Sequence, residues 1–402
     1  MTIPFQRWYP YVEGYSPNFV TSLIKHYSNS STLIYEPFAG TGTTLFAADS
    51  LGINTIYSEI NPLLQFVIST KLQVLSLPIS DRLRLADSLK KIIPNLDTYV
   101  KHSQVAKDLD INYKSTFKSS VYFLDETYQY LLKIRTYIDN LRLDNILLAD
   151  LLTMAVISSL LAVSNLTKRG DVRYKTDKEK ENTPSISACL SERINVVIED
   201  LQSSVYQLQA KHRLICENAK SINDVHFEGE ISDVITSPPY LNGTNYFRNT
   251  KLELWFLRHL TCPADLRMFR NKVLTSGIND VILTQELQYG RLLDNVLLFE
   301  TLSELKVKSY DKRIPMMVTN YFDEMAMLFS GLTKYLSNNA HVMIDIGDSI
   351  FAGVHVRTDD ILITLLSDFG YQLNDKVTLR QRRSKNGQLI SQVLIAMTKK
   401  SE

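Results

Sequence analysis

The chain reads TLIYEPFAGTGTT from Thr32 to Thr44. The apolar start of this stretch is typical of a buried strand, its two glycines mark a tight turn, and Leu45–Leu51 continues with helical spacing. A second apolar run, Thr55–Tyr57, is followed by the acid Glu59. The order strand, glycine turn, helix and strand predicts a βαβ unit of about 30 residues. Its strands are expected to be parallel and its crossover right-handed.

The glycine turn predicts a ligand site. Gly40 and Gly42 allow a sharp turn and a close approach of a ligand to the backbone, and the following helix offers free N–H groups. Glu59 is suited to accept hydrogen bonds from both hydroxyls of a ribose. A dinucleotide, a phosphate or an S-adenosyl compound would each fit, although Leu45 replaces the third glycine of the dinucleotide fingerprint and no P-loop lysine follows. The alternative is a turn without a ligand.

Composition limits the class of protein. The chain has 402 residues, of which 45% are hydrophobic and 22% charged, so it can bury a large core and is neither disordered nor a small disulfide scaffold. Its formal charge is +1, so nucleic-acid binding would have to come from local basic patches. Three isolated cysteines (Cys189, Cys216 and Cys262) and scattered histidines predict a reducing compartment and no metal site.

The sequence predicts a soluble, cytoplasmic protein. The N-terminus, Met1–Val12, is polar and aromatic and has no apolar signal core. The longest apolar stretch, Ala149–Val163, is shorter than a membrane span and carries Asp150. No membrane partner is expected.

The remaining sequence predicts an α/β fold with a large helical insertion. From Pro78 to Lys211 apolar residues recur at helical spacing, with a charged loop at Asn165–Pro184. Strand patterns then return. The predicted strands are Arg213–Cys216, Ile231–Thr236, Ile314–Thr319, His341–Ile346 and Val393–Thr398. The predicted helices between them are Leu252–Leu260, Asp323–Leu336 with Asp323 as N-cap, and Asp359–Phe369 with Thr358 as N-cap.

A second motif, Thr236-Ser237-Pro238-Pro239-Tyr240, follows one of these strands. Successive prolines cannot continue a central strand. They predict a rigid loop at the carboxyl end of the strand, where open α/β sheets bind ligands. Free backbone carbonyls beside the flat ring of Tyr240 suit a flipped base with an exocyclic amine. A rigid turn with a core tyrosine is the alternative, and the glycine turn in the same chain favours the base.

Glu36–Thr44, Glu59–Pro62 and Thr236–Tyr240 together resemble the S-adenosylmethionine-dependent DNA amino-methyltransferases, which methylate N4 of cytosine or N6 of adenine. The resemblance covers roughly half of the chain. It also takes in Tyr9–Pro17, Glu217–Ala219, Leu241–Trp255, Thr319–Met325, Asp345–Ser349 and Val393–Lys399. Pro78–Lys211 and Arg258–Lys312 match no motif of the family. The glycine motif precedes the proline motif, which excludes the permuted subclass.

The resemblance implies a Rossmann-like class I methyltransferase sheet with helices on both faces, which binds S-adenosyl-L-methionine. The catalytic domain would comprise residues 1–77 with the cofactor site, 212–257 with the Ser-Pro-Pro-Tyr loop, and 313–402. Residues 78–211 would be the helical insertion and 258–312 a second insertion. The cofactor residues implied by the family's motifs are Tyr11, Glu36, Phe38, Gly40, Gly42, Thr43, Thr44, Glu59, Asn61, Asn218 and Ala219. The family more often has Asp at position 218.

The resemblance assigns catalysis to Ser237, Pro238, Pro239 and Tyr240. The Ser237 side chain and the Pro238 carbonyl would accept the hydrogens of the amine, which must become more tetrahedral to attack the methyl group, and Tyr240 would stack on the flipped base. No cysteine lies in a Pro-Cys motif, so methylation of cytosine C5 is not expected. Within the family, Ser at position 237 goes mostly with cytosine N4, and Asp or Asn goes mostly with adenine N6. Cytosine N4 is therefore favoured, with adenine N6 as the alternative.

Two basic segments are candidate DNA contacts. Thr378–Gly387 carries four positive charges and no acid, and Asn165–Lys180 carries six against three acids. Each is otherwise a solvated surface loop. The residues predicted to contact the phosphate backbone are Lys168, Arg169, Arg173, Lys175, Arg380, Arg382 and Arg383.

Double-stranded DNA is the expected partner. The insertion at Pro78–Lys211 is the favoured region for target recognition, with a structural or dimerisation role as the alternative. The family also implies a cognate restriction endonuclease, and the oligomeric state is left open.

Three rival functions remain. An RNA N-methyltransferase uses the same two motifs but usually adds a compact RNA-binding module, and none is recognisable in this chain. A non-catalytic nucleic-acid-binding protein on a decayed methyltransferase fold would not need the intact Gly40, Gly42, Glu59, Ser237 and Tyr240. A nicotinamide dehydrogenase would lack its third glycine and would leave the paired prolines unexplained.

Overall fold

The computed structural model describes residues 5–11, 14–28, 32–241, 246–282, 284–384 and 387–400. The chain divides into two compact units. The helical unit comprises Met1–Val12, Asn61–Leu208 and Tyr246–Phe269, and the sheet unit comprises Glu13–Ile60, Gln209–Asn245 and Arg270–Glu402. Each unit is described by itself below.

The described residues form eleven strands and sixteen α-helices. The strands are β1 (Leu33–Glu36), β2 (Asn54–Ser58), β3 (Leu166–Arg169), β4 (Asp171–Tyr174), β5 (His212–Cys216), β6 (Ile231–Thr236), β7 (Leu336–Gly347), β8 (Ser349–Phe351), β9 (Val354–Val356), β10 (Tyr371–Arg383) and β11 (Leu389–Lys399). The helices are α1 (Pro17–Tyr27), α2 (Thr43–Asp49), α3 (Pro62–Ser76), α4 (Ile79–Ile92), α5 (Leu96–His102), α6 (Lys107–Phe117), α7 (Asp125–Asp144), α8 (Ile146–Val163), α9 (Asp177–Glu181), α10 (Ile186–Ser203), α11 (Tyr246–Asn249), α12 (Lys251–Phe256), α13 (Pro263–Lys272), α14 (Val296–Lys308), α15 (Arg313–Leu332) and α16 (Thr358–Ser367).

The sheet unit is built on seven strands in the order β10-β11-β7-β6-β1-β2-β5. The five strands from β7 to β5 are parallel, and β11 is antiparallel to both of its neighbours, β7 and β10. This is the Rossmann-like class I methyltransferase fold that the motifs predicted. The parallel strands end along one side of the sheet, which we call the carboxyl edge.

Helices cover both faces of this sheet, as predicted. On one face Val20 and Leu23 of α1 and Ala48 of α2 pack against Ile34 and Ile235 of the strands. On the other face α14, α15 and α16 share one apolar core with β1, β6 and β7. Both faces of the sheet are therefore shielded from water, which explains why the parallel strands have continuous apolar sequences rather than alternating apolar and polar residues.

One predicted strand and two predicted caps are wrong. Thr358 is the first residue of α16, and the N-cap of that helix is Arg357. Ile314–Thr319 lies in α15 and not in a strand, and Asp323 lies inside the same helix rather than at its N-cap. Almost every side chain of α15 is buried, and a short apolar run buried on all sides has no periodicity that separates helix from strand. Asp323 instead accepts hydrogen bonds from the N–H groups of Gln288 and Tyr289, over 2.8 to 3.1 Å.

The helical unit is organised around α8. Fourteen of its residues are buried, and α4, α7 and α10 pack against it. Within the described chain α8 is one straight helix long and apolar enough to cross a membrane, with a mean hydropathy of 2.3 over 18 residues, and 78% of it is buried in the protein. The expectation that this stretch is too short for a span is therefore wrong. Its burial, rather than its length, identifies it as a core helix.

Two predicted loops contain regular structure. Asn165–Pro184 forms the antiparallel hairpin β3–β4 and the short helix α9. The hairpin turns at Gly170, whose φ of 83° favours glycine. The basic segment Thr378–Gly387 continues β10 as far as Arg383, and Lys385 and Asn386 lie outside the described residues. Charged residues dominate both segments, so neither shows the regular alternation of apolar and polar residues that predicts a strand.

Candidate active site

The glycine turn joins β1 to α2 at the carboxyl edge. Gly40 and Gly42 have φ angles of 56° and 86°, in the left-handed region that favours glycine. The Gly40 N–H donates to Glu59 Oε2 over 2.7 Å, and the Ala39 N–H donates to the Ser58 carbonyl over 3.0 Å. The turn is thereby tied to the end of β2, so that the glycine loop and the acid behind the second strand form one structure.

Glu36 ends β1 and is buried, with 1% of its surface exposed. Its Oε1 accepts from the Phe38 N–H over 3.0 Å, and its Oε2 accepts from the Thr44 hydroxyl over 2.7 Å and from the Tyr15 hydroxyl. Burial raises the pKa of Glu36 above its usual value, and these donors oppose that shift. A buried carboxylate held in this way is a ready acceptor for a cationic amino group.

The other predicted cofactor residues of the glycine loop lie around Glu36. Thr43 is the first residue of α2 and is buried, and Phe38 is half-buried against the apolar core of the sheet. Tyr15, which the sequence did not single out, is hydrogen-bonded to Glu36 and over 2.6 Å to Thr44. Tyr15 lies just before the glycine turn in a segment rich in tyrosine, and this position could have identified it as a residue of the site.

The end of β5 carries Asn218 and Ala219. Asn218 caps a short 3-10 helix, Ala219–Asp224, by accepting from the Lys220 N–H over 3.1 Å, and its Nδ2 donates to the Lys272 carbonyl over 3.1 Å. Ala219 is buried in the core. Both ends of the Asn218 amide are engaged in the protein, which fixes its orientation, and each end can still form one further hydrogen bond to a ligand.

The Ser-Pro-Pro-Tyr loop leaves the end of β6, the parallel neighbour of β1. Pro238 is buried and Pro239 and Ser237 are half-buried. No hydrogen bond joins the Ser237 hydroxyl to any residue that the structure describes. The carboxyl ends of β5, β2, β1 and β6 thus carry Asn218, Glu59, the glycine turn and this loop side by side.

Tyr240 is fixed by two side chains from the neighbouring strands. Its hydroxyl donates to Asp345 Oδ1 over 2.7 Å and accepts from Gln392 Nε2 over 3.0 Å. Gln392 Nε2 also donates to Asp345, over 2.8 Å to Oδ1 and 3.0 Å to Oδ2. Burial raises the pKa of Asp345, and the hydrogen bonds from Gln392 and Tyr240 oppose the shift. We call Tyr240, Asp345 and Gln392 the Tyr240 clamp.

The backbone of β7 completes this arrangement. A Cβ atom on Gly347 would lie 3.1 Å from Cδ2 of the Tyr240 ring, closer than carbon atoms normally approach, so one edge of the ring is seated on the glycine. The Ser349 hydroxyl donates to the Leu241 carbonyl directly after the ring. The sequence reasoning matched Asp345–Ser349 to the family without assigning a role, and it missed Gln392 because its partnership depends on the register of β11.

The hairpin β10–β11 extends past the carboxyl edge. Gln392 pairs with Gly347, the last residue of β7, so Leu389–Ser391 and their partners on β10 lie beyond that strand. Arg380 is directly opposite Gln392, and paired residues in a sheet share a face. Arg380 and Arg382 therefore lie on the face that carries Tyr240. Both are exposed, whereas Arg383 donates to the Gly387 carbonyl over 2.9 Å.

The predicted DNA contacts of the helical unit lie on or next to β3 and β4. Arg173 forms a bidentate ion pair with Glu179, at 2.8 and 2.9 Å, and Lys175 donates to the Ala162 carbonyl and to the Thr183 hydroxyl, each over 2.9 Å. Lys168 is half-buried, and the side chain of Arg169 lies outside the described part of the chain. Arg173 and Lys175 thus stabilise the fold of their own segment.

Two predicted cofactor residues belong to the helical unit. Asn61 is the N-cap of α3, where its side chain accepts from the Leu63 N–H over 3.1 Å, and its Nδ2 donates to the Thr250 hydroxyl over 3.1 Å. Tyr11 is half-buried. Within the described ranges, no three His, Cys, Asp or Glu side chains are grouped to hold a metal ion.

Comparison with known proteins identifies relatives over most of the chain. No protein-family model matches it. The chain is 24% identical over 414 residues to the Type II methyltransferase M.AvaI of Nostoc sp. and of Anabaena variabilis, which covers 96% of this chain and 83% of theirs. It is 26% identical over 437 residues to the Type II methyltransferase M.BsoBI of Geobacillus stearothermophilus, covering 95% and 81%.

A shorter match and a solved structure were also found. The chain is 32% identical over 101 residues to the Type II methyltransferase M.MjaII of Methanocaldococcus jannaschii, which covers 25% of this chain and 17% of that one. The rRNA methyltransferase aviRa of Streptomyces viridochromogenes superposes with a TM-score of 0.31 and 9% identity, over 97% of this chain and 87% of that one. The sequence relatives confirm the family recognised from the motifs: the chain is a homologue of the Type II methyltransferases, the DNA-methylating enzymes of restriction-modification systems.

Proposed function

We propose that this enzyme transfers a methyl group from S-adenosyl-L-methionine to the exocyclic amine of a base flipped out of double-stranded DNA, with N4 of cytosine as the favoured target. One observation carries the proposal. The glycine turn, two buried carboxylates and the Ser-Pro-Pro-Tyr loop follow neighbouring parallel strands and lie along a single edge of the sheet.

The residues of the sheet unit fit the proposed cofactor. S-adenosyl-L-methionine has a cationic amino group, a ribose with two hydroxyls and an adenine, and it would supply an activated methyl group. The Glu36 carboxylate offers a buried acceptor for the amino group, and Glu59 offers one for the ribose hydroxyls. Gly40 and Gly42 have no side chains, so the backbone of the turn can approach the cofactor closely. Thr43, Thr44, Phe38, Asn218 and Ala219 would line the same site, and cofactor contacts by Tyr11 and Asn61 stay predictions from the motifs.

Catalysis by the chain is proposed to rest on acceptors and positioning. The Ser237 hydroxyl and the Pro238 carbonyl would bind the two amine hydrogens, which favours the more tetrahedral nitrogen that can attack. Pro239 would keep the loop rigid, and Tyr240 would stack on the base and hold the nitrogen in line with the methyl group. The amine becomes acidic as it is methylated, so the side chains need to supply only a path for the proton to water.

DNA binding is proposed to involve the β10–β11 hairpin. Arg380 and Arg382 are exposed, lie on the face of Tyr240 and form no ion pair with a described residue, so they would contact phosphates beside the flipped nucleotide. The earlier candidates Arg173 and Lys175 are already engaged within the protein. Contact of Lys168 and Arg169 with DNA, and the role of residues 78–211 in reading the target sequence, stay proposals.

The experiment that tests the function is methylation of random-sequence duplex DNA followed by mass spectrometry of the nucleosides. N4-methylcytosine is expected, and N6-methyladenine would establish the alternative base. A parallel reaction with ribosomal and transfer RNA tests the RNA alternative, and methylation of RNA alone would overturn the proposal. Absence of both methylation and S-adenosyl-L-methionine binding would favour a DNA-binding protein on a decayed fold. In the cell we propose a cytoplasmic enzyme that protects DNA from a cognate endonuclease.

A further inference from the structure

We infer that Asp345 and Gln392 are positioning residues, which hold the Tyr240 ring in the orientation that stacks on the flipped base before DNA arrives; this inference rests on the function proposed above. Neither residue need touch the substrate. They act through Tyr240, because the hydrogen bonds of the Tyr240 clamp hold its ring in place.

The hydrogen bonds fix the far end of the ring. The hydroxyl is the atom of the tyrosine side chain most distant from the backbone, so anchoring it restricts the tilt of the ring as well as its position. Asp345 accepts from that hydroxyl over 2.7 Å, and Gln392 donates to it over 3.0 Å. The bonds from Gln392 to both oxygens of Asp345, at 2.8 and 3.0 Å, close the triangle. Each of the three groups therefore fixes the other two.

The backbone fixes the near end. One edge of the ring lies against Gly347, where a Cβ would be 3.1 Å away, and the carbonyl of Leu241 is bound by the Ser349 hydroxyl. The ring is thus held at its hydroxyl, along its edge and at the following residue. A stacking platform held in this way has already lost most of its rotational freedom, so binding a base to it costs little further entropy.

The composition of the clamp favours a positioning role over simple packing. A ring that only filled the core could be a phenylalanine, with apolar neighbours. Here the chain buries a carboxylate, of which 4% is exposed, against the hydroxyl of the one aromatic residue in the Ser-Pro-Pro-Tyr loop. Burying a carboxylate is unfavourable unless donors satisfy it, and both side-chain donors to Asp345 belong to the clamp.

The test is a double-mutant cycle on the methylation rate. Wild type, Tyr240→Phe, Gln392→Leu and the double variant are compared under single-turnover conditions on duplex DNA that the wild type methylates. Tyr240→Phe keeps the ring and removes only the hydroxyl. Gln392→Leu is expected to lower the rate by about three- to tenfold, the equivalent of one neutral hydrogen bond, and Tyr240→Phe by at least as much, because it also removes the hydrogen bond to the Asp345 carboxylate. The double variant is expected to be no slower than the slower single variant, because both changes break the same link.

Two further measurements separate positioning from folding. Affinity for S-adenosyl-L-methionine, measured by calorimetry, should be unchanged in all variants. A 2-aminopurine at the methylated position should be quenched by the ring in the wild-type complex and brighter with Gln392→Leu, towards the value of Tyr240→Ala. The matched control is Gln372→Leu, which removes an exposed glutamine at the other end of β10, opposite Thr398, and should behave as wild type.

The outcomes are distinct. If Gln392→Leu methylates and quenches as the wild type while Tyr240→Ala loses activity, the clamp is refuted and the proposed function stands. If the two single effects multiply in the double variant, Gln392 acts independently of Tyr240 and the inference is again refuted. If the wild type methylates no nucleic acid, the proposed function fails, and the clamp fails with it.

Discussion

Gly347→Ala adds one methyl group at the point where Tyr240 meets the sheet. The new Cβ would lie 3.1 Å from Cδ2 and 3.2 Å from Cε2 of the ring, whereas carbon atoms in contact are normally about 3.5–4.0 Å apart. The φ angle of Gly347 is not positive, so the substitution adds no backbone strain and its effect is steric. The ring must therefore move by a few tenths of an ångström and stretch its hydrogen bonds to Asp345 and Gln392.

The size of the effect follows from this overlap. Overpacking by one methyl group in a well-packed site costs about 1–3 kcal/mol. Since about 1.4 kcal/mol corresponds to a tenfold change in rate, we expect methylation to slow by roughly five- to 150-fold if the strain falls on the stacked complex. Affinity for S-adenosyl-L-methionine should not change, because the glycine turn and both cofactor carboxylates lie on other strands.

The assay is single-turnover methylation with cofactor calorimetry on the same preparations. Gly290→Ala is the matched control, because a Cβ at that position meets nothing within 4 Å, and it should be fully active. A Gly347→Ala enzyme that methylates within twofold of the wild type would refute the reasoning that ring position limits turnover. Equal loss of cofactor affinity and turnover would instead show that the change disturbs the whole edge of the sheet.

Three further predictions concern other parts of the molecule. Gly40→Leu and Gly42→Leu should abolish binding of S-adenosyl-L-methionine in calorimetry without unfolding the protein. Gly52→Leu should bind normally, because Gly52 has a similar positive φ of 71° but has open space around it. Normal binding by both loop variants would reject this cofactor site. The double variant Arg380→Ala, Arg382→Ala should flatten the slope of the logarithm of the DNA-binding constant against the logarithm of salt concentration by about 0.9 per lost phosphate contact. This change should exceed the one caused by neutralising Lys168, Arg169, Arg173 and Lys175 together. The reverse order would assign DNA binding to the helical unit. Burial raises the pKa of Glu253 from 4.5 to about 7. The protonated side chain therefore contributes fully to the free energy of unfolding below about pH 4.5, and this contribution is lost as the pH rises through 7. Glu253→Gln should remove this part of the pH dependence in urea denaturation at pH 5 and pH 8, and an unchanged profile would contradict the shift.

Local motifs explain most of what could be predicted from the sequence. The βαβ unit, the parallel pairing of β1 with β2 and the place of the Ser-Pro-Pro-Tyr loop after β6 all follow from residues within a few positions of one another. Gly40 and Gly42 permit the left-handed backbone that the turn requires, Pro238 and Pro239 restrict the backbone, and both effects act in any context. The class of enzyme was predicted because these motifs resemble those of a known family, and the strand order places them side by side at the carboxyl edge.

Features that depend on distant pairing could not be predicted. The Tyr240 clamp joins residues 105 and 152 positions apart, and only the register of β7 with β11 brings Asp345 and Gln392 together. A shift of that register by one residue would turn Gln392 to the other face. The error at Ile314–Thr319 has the same origin, since only the packing of α15 against the sheet decides that its apolar run is a helix.

The two basic segments show where counting charges fails and what could replace it. Thr176 and Glu179 have the spacing of a capping box, and the structure contains one, which holds Glu179 where Arg173 can pair with it. The acids within Asn165–Lys180 were therefore a readable sign that its cations have partners inside the segment. Thr378–Gly387 contains no acid, so its arginines must find their counter-charges elsewhere. Arg380 forms no ion pair with a residue that the structure describes, and it lies opposite Gln392, which binds the hydroxyl of Tyr240, so a phosphate next to the flipped base is the counter-charge that we propose for it.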